Sequence, residues 1–271
     1  DLAWVGLLQV ILYGGGRVGY RPINAIDQLM QDAEEHGELT WPGSERWKLQ
    51  PWARTLNTLL RKFRLPVAFQ HAFDDREDMV TLEQAANLHL LLAGVIQTKV
   101  SGAVVELGCY AGSTSVVIAS LMKRLDPRRR FHVFDSFEHE LGNLRNIRSE
   151  FESNMRKLGT RSQQIHEGDL FDTIPSQLPD EIAFAHIDLG IGGDPVAHSS
   201  VITHALDSIY PKLQQNAIVV LMDYHVPGQT INGHDANPGV RLACDQFFLH
   251  RPEAVTTLYG GAYSHGYFRK H

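Results

Sequence analysis

The sequence predicts a doubly wound α/β fold, a mostly parallel sheet with helices on both faces. Beyond residue 100 or so, short apolar runs alternate with amphipathic stretches of helical length, the pattern of successive β-α-β units. One run, Ala217–Met222, is apolar without a break, as a strand covered on both faces of a parallel sheet should be. A glycine-containing turn, Gly108 to Gly112, joins the first of these runs to the first helix.

The elements follow in order. Ala103–Leu107 is the first strand and Ser113–Leu125 its helix. Phe131–Phe134 is the second strand, followed by a helix over Ile147–Leu158. Gln164–His166 is a weak third strand and Ile182–Ile187 a fourth, with the helix Val196–Ile209 after it. Ala217–Met222 is the fifth strand. Asn237-Pro238 starts a helix reaching Phe248, with Asn as N-cap and Pro in the first helical position. Ala254–Leu258 and Tyr263–Phe268 can form a closing hairpin, which makes seven strands.

Upstream, Thr81–Gln97 is the clearest helix. Thr81-Leu82-Glu83-Gln84 has the capping-box pattern, and Ala85, Leu88, Leu92 and Val95 then line one face. The rest of residues 1–100 shows helical spacing interrupted by Gly and Pro clusters and by the Trp-rich stretch Trp41–Trp52. Leu2–Tyr13 reads as a packed helix or an interface element. The expected organisation is an N-terminal helical cap and oligomerisation region over 1–100 and an α/β domain over 101–271.

Charge and composition narrow the function. A formal charge of −6 argues against a nucleic-acid-binding face. The densest basic run, Lys123-Arg124 with Arg128–Arg130, falls at a helix end, where such charges are favourable. Cys109 and Cys244 form neither a disulfide framework nor a metal-ligand spacing, which fits a cytoplasmic setting. No apolar run approaches the roughly 20 residues of a membrane span.

The turn carries the chemistry. Val104–Ser113 reads acidic-x-G-x-x-x-G, with Glu106 near the strand end, then Gly108, Tyr110, Gly112 and Ser113. Dinucleotide sites prefer G-x-G-x-x-G. A carboxylate at Glu106 would repel a pyrophosphate but suits the ammonium of S-adenosylmethionine, while helix N–H groups from Ser113 onward favour a carboxylate. Asp135 ends the second strand, the position from which an acid takes ribose hydroxyls. Asp169, in Glu167-Gly168-Asp169, is the candidate for the adenine amino group, with Leu170 or Phe171 as a wall.

Val105–Thr114, Phe134-Asp135-Ser136-Phe137-Glu138, Glu167–Pro175, Ile187-Asp188, Leu206–Leu213 and Asp223-Tyr224 resemble the macrocin O-methyltransferase-like family. Its members methylate sugar hydroxyls on natural products, and the likeness spans roughly residues 80–250. The resemblance implies a Rossmann-like class I methyltransferase in which Glu106, Gly108, Asp135 and Ser136 contact S-adenosylmethionine. It also implies that Asp188 and Asp223 bind a divalent metal, usually Mg2+. Two departures stand out. Met222 replaces the first of two successive Asp residues, and Asp188-Leu189-Gly190 with Ile191-Gly192-Gly193-Asp194 replaces Asp-Gly-Asp. One metal ligand and one general base are thus missing from their expected places.

Independently of the resemblance, Asp188 and Asp223 end strands four and five, where parallel sheets bind ligands. Asp188 and His225 are the catalytic candidates. His186 lies on the same side of its strand as Asp188, and Asp194, His198 and His234 are weaker candidates. Val226–Gly239 can serve as a lid. The expected activity is methylation of a hydroxyl on a small natural product, sugar-bearing substrates included, with metal assistance, in a homo-oligomer without nucleic-acid or membrane partners. Three alternatives stay open: a metal-free N- or C-methyltransferase of the same fold, a NAD-binding relative, and a non-catalytic relative.

Overall fold

The computed structural model describes residues 8–12, 51–63, 67–71, 80–139, 145–159, 163–190, 193–227, 235–260 and 264–271. They fall into two units that divide between Asp78 and Met79.

In the first unit, β1 (Leu8–Leu12) pairs antiparallel with β2 (Val67–His71), Val10 opposite Phe69, and α1 (Pro51–Lys62) precedes β2. Leu8–Leu12 is therefore a strand, where a packed helix or an interface element was expected. Val10 and Ile11 are β-branched and favour a pleated surface over a helix. Leu2–Leu7, Tyr13 and residues 41–50 of the Trp-rich stretch lie outside the described residues.

The second unit opens with α2 (Leu82–Gln97), and the capping box forms as expected. Gln84 N–H donates to Thr81 Oγ1 at 3.1 Å, and Thr81 N–H donates to Gln84 Oε1 at 2.9 Å. Ala85, Leu88, Leu92 and Val95 are buried. The structural division thus precedes this helix.

Seven strands then form one sheet. They are β3 (Ala103–Leu107), β4 (Phe131–Asp135), β5 (Gln163–Glu167), β6 (Ile182–Ile187), β7 (Leu213–Met222), β8 (Thr256–Leu258) and β9 (His265–Arg269). Their order is β5-β4-β3-β6-β7-β9-β8. The first five in this order run parallel, and β9 is antiparallel to both of its neighbours. The connecting helices are α3 (Ser113–Leu125), α4 (Ile147–Leu158), the short α5 (Leu170–Thr173), α6 (Pro195–Ile209) and α7 (Pro238–Phe247).

Every residue of β3 and β6 is buried, which is why these strands read as continuous apolar runs interrupted only by Glu106 and His186. β7 begins before its apolar run, because Leu213 already pairs with Ile182 while Gln215 and Asn216 stay exposed. The chain leaves β3 towards β4 on one side, and the later strands β6 and β7 build on the other. This reversal opens a crevice at the carboxyl ends of β3 and β6, where open α/β sheets take their ligands.

Candidate active site

Glu106 lies wholly inside the protein. Its Oε1 accepts from Thr114 Oγ1 at 2.7 Å and its Oε2 from the Ser115 hydroxyl, both in the first turn of α3. His186 on β6 adds a third contact, Nδ1 to Oε1 at 3.0 Å, and beside a carboxylate that nitrogen carries the proton. Burying this charge is tolerable only because it is met by three donors. The Glu106 carboxylate, expected to meet the cofactor ammonium, is here met by these three protein donors. The carboxylate fastens the start of α3 to the sheet.

Asp135 is the carboxylate that faces the crevice loops, and it is half-buried. Its Oδ2 accepts the N–H groups of Cys109 and Tyr110 at 2.7 and 2.9 Å, and its Oδ1 accepts that of Phe137 at 2.7 Å. An ionised carboxylate offers about four acceptor directions. Two of these bonds hold the loop after β3 against the end of β4, and the third closes the turn of Asp135's own loop.

Both glycines of the turn have positive φ, +80° at Gly108 and +90° at Gly112. A Cβ on Gly108 would stand 1.9 Å from the carbonyl oxygen of Asp188, so the turn lies directly against the end of β6. A Cβ on Gly112 would stand 2.8 Å from Cδ2 of Phe151 in α4, which makes helix packing the reason for this glycine. Tyr110 itself has φ +48°, and Ser113 is the first residue of α3. Ser136 Oγ accepts the Glu138 N–H at 3.3 Å. Asp169 is exposed and caps α5, accepting the Phe171 N–H at 2.8 Å. The Phe171 ring stacks on His204, centroids 4.4 Å apart.

The other wall of the crevice comes from β6 and β7. Asp188 is the residue after β6, and burial pushes its carboxyl up to about 7. His186 opposes that shift, while the Asp223, Glu106 and Asp135 carboxylates add to it. Asp223, just past β7 with φ +59°, accepts from Asn237 Nδ2 at 2.7 Å. Asn237 stands at the N-cap of α7 but makes no capping bond with its side chain. Sequence reading placed Asn237 as a cap and missed its tie to Asp223. His198 is buried and holds the loop after β6 through Nε2 to the Leu189 carbonyl at 2.9 Å.

Several candidates take structural roles. His225, the other catalytic candidate, is buried, with Nδ1 paired to Ser264 Oγ at 2.9 Å. Asp194 caps α6 by accepting the Ala197 N–H at 2.9 Å. His234 and residues 228–234 of the expected lid lie outside the described residues.

The residues present do not fit a bound Mg2+. Octahedral binding needs several hard oxygen ligands in one shell. Here Asp223 faces an amide N–H and Met222, buried, occupies the neighbouring position. Among the described residues no group of three or more His, Cys, Asp or Glu is arranged to hold a metal.

Residues 105–224 match a family model described as a methyltransferase domain. The fold is similar to that of CalS11, a calicheamicin methyltransferase, with 17% identity, 95% of this chain and 98% of that chain covered, and a TM-score of 0.53. It is similar to the O-methyltransferase NovP at 15% identity, covering 92% of this chain and 98% of that one, with a TM-score of 0.53. PaMTH1 of Podospora anserina, a methyltransferase solved with S-adenosylhomocysteine, shares 15% identity, with 95% and 99% covered and a TM-score of 0.52. No curated protein matches the sequence. Sheet order and these likenesses define the fold, a Rossmann-like α/β sheet, within which residues 105–224 are similar to a methyltransferase domain.

Proposed function

We propose that this chain transfers the methyl group of S-adenosylmethionine to a hydroxyl oxygen of a small natural-product acceptor, sugar-bearing scaffolds included. The observation that carries this reading is the abutment of the Asp188 main chain on the Gly108 turn, which brings the acidic residue at the end of β6 to the loop assigned to the donor. Glu106 and Asp135 hold that loop from inside and from the side, and the remaining acceptor direction of Asp135 takes a ribose hydroxyl. Ser136, Tyr110 and the first turn of α3 at Ser113 border the same loop, and Asp169 is the candidate for the adenine amino group. The sulfonium is already an activated donor, so the protein supplies position and removes one proton. The acceptor oxygen attacks the methyl carbon, the C–O bond forms as the C–S bond breaks, and the bonding pair stays on sulfur. The hydroxyl proton passes to the Asp188 carboxylate, whose affinity for it near neutral pH suits a general base.

The resemblance to sugar O-methyltransferases and the likeness to NovP support the hydroxyl as acceptor. A second reading, transfer to an amine, draws on the Asn237–Asp223 bond, because an amine needs no Lewis acid to become nucleophilic. Incubating the protein with S-adenosylmethionine and matched hydroxyl and amine acceptors, with products read by mass spectrometry, tests both. Methyl ethers that disappear with Asp188→Asn are expected; exclusive N-methylation would replace the first reading with the second. Assembly as a homo-oligomer through the region before residue 100 belongs to the same proposal, and light scattering of the full chain would return a monomer if it is wrong.

A further inference from the structure

Asn237 holds an N-cap position without capping, and its amide points at Asp223 instead, Nδ2 to Oδ2 at 2.7 Å. The backbone of Gly190 closes over that pair. A Cβ on Gly190 would stand 2.4 Å from Asn237 Nδ2 and 2.7 Å from Asp223 Oδ2. Beside Asp223, buried Met222 fills the place where the resemblance implies a second carboxylate. A divalent hard cation would gather oxygens at about 2.0–2.1 Å and keep several waters. An amide nitrogen carries hydrogens and no lone pair to offer a metal. Its approach to the carboxylate, under a closely packed loop, leaves no room between the two groups for a hydrated ion.

We infer that Asn237 takes the place of the cation in this chain. Its N–H hydrogens balance part of the Asp223 charge and fix that carboxylate beside Asp188, so the acceptor is positioned by protein groups alone. This rests on the methyltransferase reading of the site, and its test is separate from that of the donor.

The experiment is a Mn2+ titration of the full chain followed by electron paramagnetic resonance, on wild type and Asn237→Asp. S-adenosylmethionine binding is measured by calorimetry on the same samples with Mg2+ and with chelator. Wild type is expected to show no saturable Mn2+ binding and the same donor affinity in both conditions. Asn237→Asp, nearly isosteric, sets a third carboxylate beside Asp188 and Asp223 and is expected to bind Mn2+ at least ~10-fold more tightly. Saturable Mn2+ binding by wild type that is lost in Asp223→Asn would overturn the inference, since the amide would then turn its oxygen to the ion. An Asn237→Asp protein with a native thermal transition but no gain in Mn2+ affinity would overturn it equally. Absence of donor binding would sink the methyltransferase reading alone, because the Mn2+ result decides the role of Asn237 either way.

Discussion

At the scale of single residues, the two acids at the ends of β3 and β4 have different work. Glu106 is enclosed by Thr114, Ser115 and His186, so Glu106→Ala leaves buried donors without an acceptor and is expected to cost about 3–5 kcal/mol of stability. Denaturant unfolding checks this, and a loss within ~0.5 kcal/mol would contradict the role. Asp135→Asn exchanges a carboxylate that accepts three backbone N–H groups for an amide with one oxygen. Weaker donor binding by about 10–100-fold is expected by calorimetry, the worth of one or two charge-assisted bonds. The identity of these acids was legible from the spacing around Gly108 and the strand end at Asp135, but their partners were not. Thr114 and Ser115 follow closely in sequence, whereas His186 lies 80 residues on. Only the register that sets Glu106 beside His186 brings it there. The Asn237–Asp223 bond was hidden for a related reason, because Asn at a helix start already has a sufficient local explanation as a cap.

Asp188 carries a pH prediction. Its folded value of about 7 lies above the ordinary carboxyl range, near 3.9 in an unfolded chain. Between about pH 4 and 7 the folded protein keeps a proton that the unfolded chain has released, so stability from this group falls as pH rises through that window. Asp188→Asn removes the effect. The variant is expected to match wild type near pH 4 and to exceed it by up to a few kcal/mol near pH 8 in thermal or denaturant unfolding, while turnover is lost. In wild type, turnover should rise with pH through about 7 as the base form appears. A pH-independent difference in stability would contradict this account of Asp188.

At the scale of elements, the turn between β3 and α3 is fixed by close approach. Gly112→Ala must adopt φ +90° and push its Cβ into Phe151, and a loss of about 1–3 kcal/mol is expected. Adding Phe151→Leu makes room but leaves the backbone strain, so only part of the loss should return. Full recovery would show that φ was not limiting. The strands of the parallel sheet were legible because full burial on both faces requires largely apolar runs, as in β3 and β6, each with one polar residue, and the second half of β7. β1 was not legible as a strand because five apolar or amide-bearing residues fit a buried helix as well as a strand. Its partner, β2, lies 55 or more residues away and was not visible from periodicity.

At the scale of the molecule, the second unit holds histidines that burial keeps neutral, one on α2 and two on the sheet. Burial lowers His89 and His132 to about 4 and His265 to about 3, with Arg124 acting on the first, His166 and Arg130 on the second and His186 on the third. Each is stabilising in its neutral form above the unfolded value of ~6.5, and that contribution is lost as pH falls towards the folded values. Asp188 works in the opposite sense over much of the same range, but it is one group against three. Net stability is therefore expected to drop by a few kcal/mol between about pH 7 and 5, and more steeply in Asp188→Asn. A flat profile in wild type would contradict the balance.

The order β5-β4-β3-β6-β7-β9-β8 places the switch between β3 and β6, so the central claim concerns what binds at that crevice. The most direct measurement is a calorimetric titration of S-adenosylmethionine into the purified full chain. Saturable one-to-one binding, weakened in Asp135→Asn, is the result this account predicts. No heat of binding under any condition, or an affinity indifferent to Asp135, would contradict it.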